Sequence, residues 1–315
     1  MRLDIVKCHG SGNDFPMIDA RALTLETAQW AIVARALADR GGAVGGDGLL
    51  LLTPGAAGAA FGFRMFNPDG SEAETCLNGL RCVARLGFEA LDLSRAVVSL
   101  VSSQAVVERV ADLATGVYTV RETVGPASLD VAAWPLTVEA ARIVEAPIAA
   151  LPGGRAFTAV AMPNPHLVTF VEQVDDAALE AIGAVCEAAP AWLPNRANVS
   201  FVEVRVVDLF VRTFERGVGL TNSCGSAMAA STYAAGLTGR IDFDRDTIVF
   251  NRGGLVRAAA GADGMVSLSG NATVEWRGAA TVDLRDGGVS EVVIVDRADG
   301  EDAAWRAAIA PIAAG

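Results

Sequence analysis

The feature that most constrains this chain is that its two halves carry the same succession of signals. Gly12-Asn13-Asp14-Phe15 has a counterpart in Pro163-Asn164-Pro165-His166, each an asparagine turn running into an apolar stretch. Cys76 and Cys224 each lie ten residues after a phenylalanine, in Phe66-Asn-Pro-Asp-Gly-Ser-Glu-Ala-Glu-Thr-Cys76 and Phe214-Glu-Arg-Gly-Val-Gly-Leu-Thr-Asn-Ser-Cys224. Asn13 and Cys76 are 63 residues apart, and Asn164 and Cys224 are 60 apart. Such a repeat predicts two domains built in one order: strand, asparagine turn, helix, strands, cysteine, helix. The expected relation between them is a pseudo-two-fold.

Local patterns fill in that order. Short β-type runs occur at Leu3–Lys7, Leu49–Thr53, Phe61–Phe66, Val97–Val101, Val117–Val124, Phe157–Ala161, Leu167–Val171, Val199–Val207, Val211–Phe214, Thr247–Phe250 and Met265–Ser269. Helical periodicity covers Thr27–Asp39, Leu80–Leu91, Ala177–Ala188 and Ser226–Ala235. Each repeated cysteine therefore ends a loop that opens a helix. The mixture is an α+β chain, and 315 residues suit two domains better than one core. The first boundary is expected near Glu122–Pro126. The tail from Asp286 onward closes on a short helix at Asp302–Ile309 and shows no chemistry of its own.

Composition excludes several functions. A net charge of −12 gives no reason to bind nucleic acid or an anionic membrane surface. The opening Met-Arg-Leu-Asp-Ile-Val-Lys lacks the apolar core of a signal peptide, and Gly48-Leu-Leu-Leu-Leu-Thr53 is strand-sized, far too short to span a bilayer. The five cysteines are Cys8, Cys76, Cys82, Cys186 and Cys224. An odd number in a chain this long reads as reduced thiols and a cytoplasmic protein. Lys7 is the only lysine and lies in a strand pattern, a poor candidate for the Schiff base that pyridoxal phosphate needs. With only His9 and His166, and with cysteine spacings that match no four-ligand pattern, no metal site is expected.

A lone cysteine before a helix is ordinarily packing. Two in one setting point to chemistry. A helix N-terminus lowers a thiol pKa through its local amide dipoles, so a thiolate becomes available near neutrality. The same amides bind a carboxylate and take up charge developing on it. One thiolate and one thiol facing a single carbon can move a proton from one side of it to the other, in either direction. The amides in question are those of Leu77, Asn78 and Gly79, and of Gly225, Ser226 and Ala227. His166, after the second asparagine turn, and Glu215, opening Glu215-Arg216-Gly217, are the polar groups placed to hold a thiol in its working state. Cys8, Cys82 and Cys186 read as packing.

These residues also carry a resemblance. Lys7-Cys-His-Gly-Ser-Gly-Asn-Asp-Phe15, Phe66-Asn-Pro-Asp-Gly-Ser-Glu72, Cys76-Leu-Asn-Gly-Leu-Arg-Cys82, Asn164-Pro-His166, Arg196-Ala-Asn198, Glu215-Arg-Gly-Val-Gly219 and Cys224-Gly-Ser226 resemble diaminopimelate epimerase motifs, in the family's order, over about residues 1–280. The resemblance implies two similar α/β domains, each a barrel-like sheet around a central helix, with the active site in the cleft between them. The first domain would span residues 1–122, completed by about 275–315, and the second 123–274. The resemblance also implies a cofactor-free isomerase of lysine biosynthesis that epimerises amino acids through Cys76 and Cys224, assisted by His166 and Glu215. Asn13, Asn67, Asn164, Asn198 and Arg216 match substrate-binding positions, and the amides of Asn78, Gly225 and Ser226 match the carboxylate cradle, with Leu77 beside it. Homodimers are frequent in the family.

The sequence departs from the pattern at four positions near the substrate. Leu77 replaces the first glycine of Gly-Asn-Gly, Gly48 a common glutamine, Leu220 a usual glutamate and Ala227 a usual glycine. The proton-transfer residues are all kept. The expected reaction is the interconversion of LL- and meso-diaminopimelate, and a racemase for another polar amino acid such as histidine is the alternative. Phenazine-type isomerases use a carboxylate where these thiols lie, and a non-catalytic binding paralogue would be expected to lose a thiol or its assistants.

Overall fold

The computed structural model describes residues 1–73, 76–134, 136–138, 140–162 and 164–313. In chain order the elements are β1 (Arg2–Gly10), β2 (Asn13–Asp19), α1 (Thr27–Ala38), β3 (Leu49–Pro54), β4 (Phe61–Phe66), β5 (Glu72–Ala73), α2 (Leu77–Leu91), β6 (Arg95–Ser99), β7 (Gln104–Val110) and β8 (Thr119–Val124). Then follow β9 (Ala146–Pro147), β10 (Ala156–Ala161), β11 (Pro165–Val171), α3 (Asp176–Glu187), β12 (Asn198–Arg205), β13 (Asp208–Glu215), β14 (Gly219–Thr221), α4 (Gly225–Leu237), β15 (Thr247–Asn251) and β16 (Gly254–Ala260). The last are β17 (Val266–Asn271), β18 (Thr273–Val282), β19 (Val289–Arg297) and α5 (Asp299–Ala313). The chain forms two compact units, Met1–Glu122 with Ser269–Gly315, and Thr123–Leu268. It leaves the first within β8 and re-enters it within β17.

Each unit repeats one topology. In the first, β1 and β2 are antiparallel, β2 and β3 parallel across α1, β3 and β4 antiparallel, β4 and β6 parallel across α2, and β6 and β7 antiparallel, with short β5 beside β4. In the second, β10 through β16 follow the same series, with α3 and α4 in the crossovers and short β14 beside β13. Parallel neighbours require such crossovers, so the helices are built into the pairing pattern. The first unit adds β18, antiparallel to β1, and β19, antiparallel to β18.

The helices divide into two kinds. Trp30, Val33, Ala34 and Leu37 of α1 join Leu49, Leu51 and Phe66 in a core on one side of the first sheet. Leu50 faces the other way, against Gly79 of α2. All of Leu49–Leu52 is buried because both faces of β3 are covered, which explains an unbroken apolar run where alternation would mark a half-exposed strand. The second unit repeats this: Leu179, Ile182 and Cys186 of α3 pack with Val199 and Phe201 of β12. By contrast α2 and α4 are enclosed. α2 touches β1, β2, β3, β4, β6 and β7, and α4 touches β10, β11, β12, β13, β15 and β16. Every residue of α4 from Gly225 to Gly236 is buried, and their mostly small side chains let strands surround the helix.

Two expectations need correction. α2 and α4 begin at Leu77 and Gly225, directly after the cysteines, earlier than the apolar periodicity at Leu80 and Ser226 indicated. A first turn holding Leu-Asn-Gly or Gly-Ser carries little periodic signal, whereas an extended residue at the N-cap starts the helix. The tail is also more ordered than its sequence suggested, with β19 preceding a helix of fifteen residues.

Candidate active site

In the first unit Cys76 is the N-cap of α2, with extended backbone at φ −149° and ψ 105°. Its carbonyl accepts the first helical hydrogen bond from the Leu80 amide at 2.8 Å, and its Sγ accepts from the Gly79 amide at 3.4 Å. That amide, expected to serve a ligand, is directed to the sulfur. A hydrogen bond to sulfur stabilises the thiolate, so the capping geometry itself favours the reactive form.

Around this cap a polar network joins two predicted residues, Asn13 and Asn78, to Asp47, Arg81 and Glu122, which were not among the predicted site residues. The turn between β1 and β2 places Ser11 and Gly12 at positive φ, 50° and 83°, so that Asn13 starts β2. Asn78, buried in the first turn of α2, donates from Nδ2 to Asn13 Oδ1 and accepts at Oδ1 from Arg81 Nη2 at 2.7 Å. Asn13 in turn donates to Asp47 Oδ2 at 3.1 Å. Arg81 is wholly buried and pairs at 2.7 Å with Glu122, which is wholly buried too. Burial lifts the Glu122 carboxyl to about 7, against the pull of Arg81. The clue available in the sequence was the i, i+3 spacing of Asn78 and Arg81, which sets the two on one side of α2. An arginine with no solvent on any side of its helix is visible only in the fold.

In the second unit Cys224 is the N-cap of α4, at φ −134° and ψ 111°. Its Sγ lies 3.5 Å from Ser226 Oγ and is hydrogen-bonded to the Glu215 carboxyl at the end of β13. Burial raises the pKa of Glu215, while the bond to Cys224 and the charge of Arg216 pull it down. Burial prevails, so the carboxyl is raised on balance, and a carboxyl bonded to sulfur in this way can exchange a proton with it.

His166 and Asn198 are register partners on parallel strands β11 and β12, and both are fully buried. His166 Nε2 lies 3.0 Å from Asn164 Oδ1, which can only accept, so the ring proton sits on Nε2 and Nδ1 carries the lone pair. Burial, and secondarily the Arg216 charge, lower the His166 pKa to about 3. Asn198 Oδ1 accepts the Arg216 amide at 2.9 Å. Neither His166 Nδ1 nor Asn198 Nδ2 has a hydrogen-bond partner among the described residues. Each such buried group costs roughly 1–3 kcal/mol, so two in register form a donor and acceptor pair that a ligand could complete.

The other predicted residues fall as follows. Asn67 closes the turn after β4, donating to Ser71 Oγ at 3.0 Å. The half-buried Arg216 donates to the Asn195 carbonyl at 3.2 Å. Leu77 and Gly225 are the first residues of their helices, both buried. Leu220 packs against the core of its unit. At Gly48 a Cβ would lie 2.5 Å from the Phe66 carbonyl oxygen, so the backbone here has closed over the space a glutamine would need. Lys7 is buried, paired with Asp14 and donating to the Gly45 carbonyl at 2.5 Å.

Set beside known proteins, the chain matches the diaminopimelate epimerase family over residues 5–127 and 158–275. The chain belongs to the diaminopimelate epimerase family. Among its relatives, the diaminopimelate epimerase of Clostridium acetobutylicum is 36% identical over 294 residues, covering 90% of this chain and 87% of the relative. That of Enterococcus faecalis is 35% identical over 310 residues, covering 94% and 95%. Among solved structures, a predicted epimerase from Pseudomonas aeruginosa superposes with a TM-score of 0.64 at 17% identity, covering 87% of this chain and 98% of that one. A Bacillus anthracis phenazine biosynthesis protein gives 0.63 at 13%, covering 90% and 100%. At such identities the likeness shows the fold alone. Among the described residues of this epimerase-family chain, no helix is long and apolar enough to cross a membrane, and no cluster of three or more metal-ligating side chains occurs.

Proposed function

We infer that the protein is a diaminopimelate epimerase, interconverting the LL and meso forms: one cysteine thiolate removes the Cα proton and becomes a thiol, while the other cysteine's thiol delivers its proton to the opposite face and becomes a thiolate. The observation that carries this reading is the repetition of a cysteine N-cap on the enclosed helix of each of two units with one topology, in a chain that aligns with diaminopimelate epimerases over most of its length. Cys76 and Cys224 are the acid/base pair. The Gly79 amide favours the Cys76 thiolate, and Glu215 sets the protonation of Cys224. His166 and Asn198 offer the substrate an acceptor and a donor that no other described residue fills. Asn13, Asn67, Asn164 and Arg216 complete the binding set, with Arg216 suited to the distal carboxylate. The amides of Asn78, Gly225 and Ser226 take the carboxylate at the reacting carbon.

Thiolate chemistry of this kind needs a reducing compartment, which supports a cytoplasmic setting. A homodimer is the assembly that family membership suggests, and light scattering measures it.

The deciding experiment is Cα deuterium incorporation in heavy water across a panel of amino acids that includes diaminopimelate and histidine. Exchange into diaminopimelate is expected. Exchange into histidine alone would transfer the mechanism to another substrate, and none with any amino acid would end the enzymatic reading. Cys76→Ala and Cys224→Ala should each lose at least ~10³-fold in kcat, because each removes the acid or base of an otherwise uncatalysed proton transfer. Near-normal turnover in either would refute the two-thiol mechanism.

A further inference from the structure

Four side chains below the Cys76 cap form a directed chain. Arg81 donates to Asn78 Oδ1, Asn78 Nδ2 donates to Asn13 Oδ1, and Asn13 Nδ2 donates to Asp47 Oδ2. An asparagine amide can be turned end for end, exchanging a donor for an acceptor. Here it cannot, because guanidinium only donates and carboxylate only accepts. A cation at one end and an anion at the other therefore fix both amides at once.

The cationic end is firmly built in. Arg81 also donates to Ser11 Oγ at 3.1 Å and to the Asn271 carbonyl at 3.3 Å, besides its pair with Glu122. It thus grips the turn that leads into Asn13 as well as the first turn of α2. The Ser11 amide is held separately by Asn271 Oδ1 at 2.7 Å. Two glycines make the room: a Cβ on Gly10 would lie 2.5 Å from the Asn78 carbonyl oxygen, and one on Gly270 would lie 2.6 Å from Arg81 Nε. The anionic end is at the surface. Asp47 is half-exposed, and also accepts the Asp14 amide at 3.2 Å and Arg40 Nη2 at 2.5 Å.

We propose that Arg81 and Asp47 are positioning residues that set the donor and acceptor polarity of Asn13 and Asn78, the two substrate-facing amides of the first unit. The proposal rests on the epimerase reading for what those amides bind, but the chain of bonds stands apart from it. Neither charged residue touches the substrate. Each acts through an asparagine, so its loss should weaken recognition and leave the thiols in place.

The test uses the whole protein in five variants, Asp47→Ala, Asn13→Ala, their combination, and Arg81→Met with Arg81→Lys as its conservative partner. Asp47→Ala is expected to raise KM for diaminopimelate by ~10-fold with kcat within ~2-fold, since a binding contact is loosened and no acid or base is lost. In the Asn13→Ala background the same change should add less than ~2-fold, because coupled sites are not additive. Arg81→Met should lower kcat/KM by ~10²-fold, with Arg81→Lys recovering part of it. In a two-dimensional ¹⁵N spectrum without substrate, the Asn13 side-chain pair, assigned by its loss in Asn13→Ala, should move in Asp47→Ala. If Arg81→Met does not fold, the surface variant Asp47→Ala and the cycle decide alone. An unmoved Asn13 resonance, or an Asp47→Ala effect of the same size with and without Asn13, would overturn the proposal. A resonance that moves while KM stays the same would overturn it too. If the unaltered protein exchanges no diaminopimelate hydrogen, the functional reading fails instead, and the spectrum still reports on the chain of bonds.

Discussion

His166 shows what burial does to a single side chain. Its ring has no solvent contact and a pKa near 3, so it is neutral at physiological pH and serves as a hydrogen-bonding group, with Nδ1 held as a pure acceptor. An ordinary histidine titrates near 6.5, so between about pH 3 and 6.5 the unfolded chain binds a proton that the folded chain refuses. The stability this contributes is complete above about 6.5 and is lost as pH falls. His9, lowered to about 4 by burial, acts in the same direction. Glu122 opposes them: its carboxyl, raised to about 7, contributes stability below about 4.5 that is lost as pH rises toward 7. Subtraction isolates the histidine. Between pH 7 and 5 the unaltered protein should lose about 2 kcal/mol more than His166→Gln does, read from urea midpoints. Equal pH slopes would place the His166 pKa near its ordinary value. The motif Asn164-Pro-His166 pointed to this histidine, but its tautomer and charge follow from Asn164, Arg216 and burial, none of which spacing reveals.

At the scale of elements, glycine in a helix ordinarily lowers stability relative to alanine by roughly 1 kcal/mol. Gly87 in α2 and Gly183 in α3 reverse that rule. A Cβ on Gly183 would lie 2.2 Å from Phe214 Cγ, and one on Gly87 would lie 2.7 Å from the Phe61 ring, so each glycine lets a helix lie directly on an aromatic side chain of its sheet. Gly183→Ala and Gly87→Ala should each destabilise the protein by about 1–3 kcal/mol in urea, overpacking outweighing the gain in helix propensity. A stabilised variant would mean the ring moves aside freely. The helices themselves were legible, because α1 and α3 each bury one face and show helical periodicity. Strands such as Gly254–Ala260 and Thr273–Val282 were not, since arginine and glycine interrupt their alternation. Their identity comes from the neighbours they pair with.

At the scale of the molecule, the first unit is closed by both ends of the chain. β1 pairs with β18, and the terminal ammonium donates to the Val282 carbonyl at 2.6 Å. α5 then locks the closure. Glu301 accepts from Arg85 at 2.5 and 2.8 Å and from the Val274 amide at 3.1 Å, while Trp305 is buried with its ring 5.8 Å from that of His9. The tail showed a short helix and no chemistry in sequence because its partners Arg85 and His9 lie more than two hundred residues away in the chain. Trp305→Ala should cost about 3–5 kcal/mol and lower the thermal midpoint. A loss below about 1 kcal/mol would show that α5 is an appendage.

By itself the sequence determined the repeat, the two cysteines that head its enclosed helices, and the family, because motif order and local periodicity are properties of neighbouring residues. The tertiary structure decided everything that depends on groups meeting across long separations. It directs the Gly79 amide to the Cys76 sulfur, leaves His166 Nδ1 and Asn198 Nδ2 unfilled among the described residues, and buries Arg81 against Glu122 beneath Asn78 and Asn13. A side chain's charge and donor direction are set by what surrounds it, and those surroundings exist only once the sheets have closed around the helices.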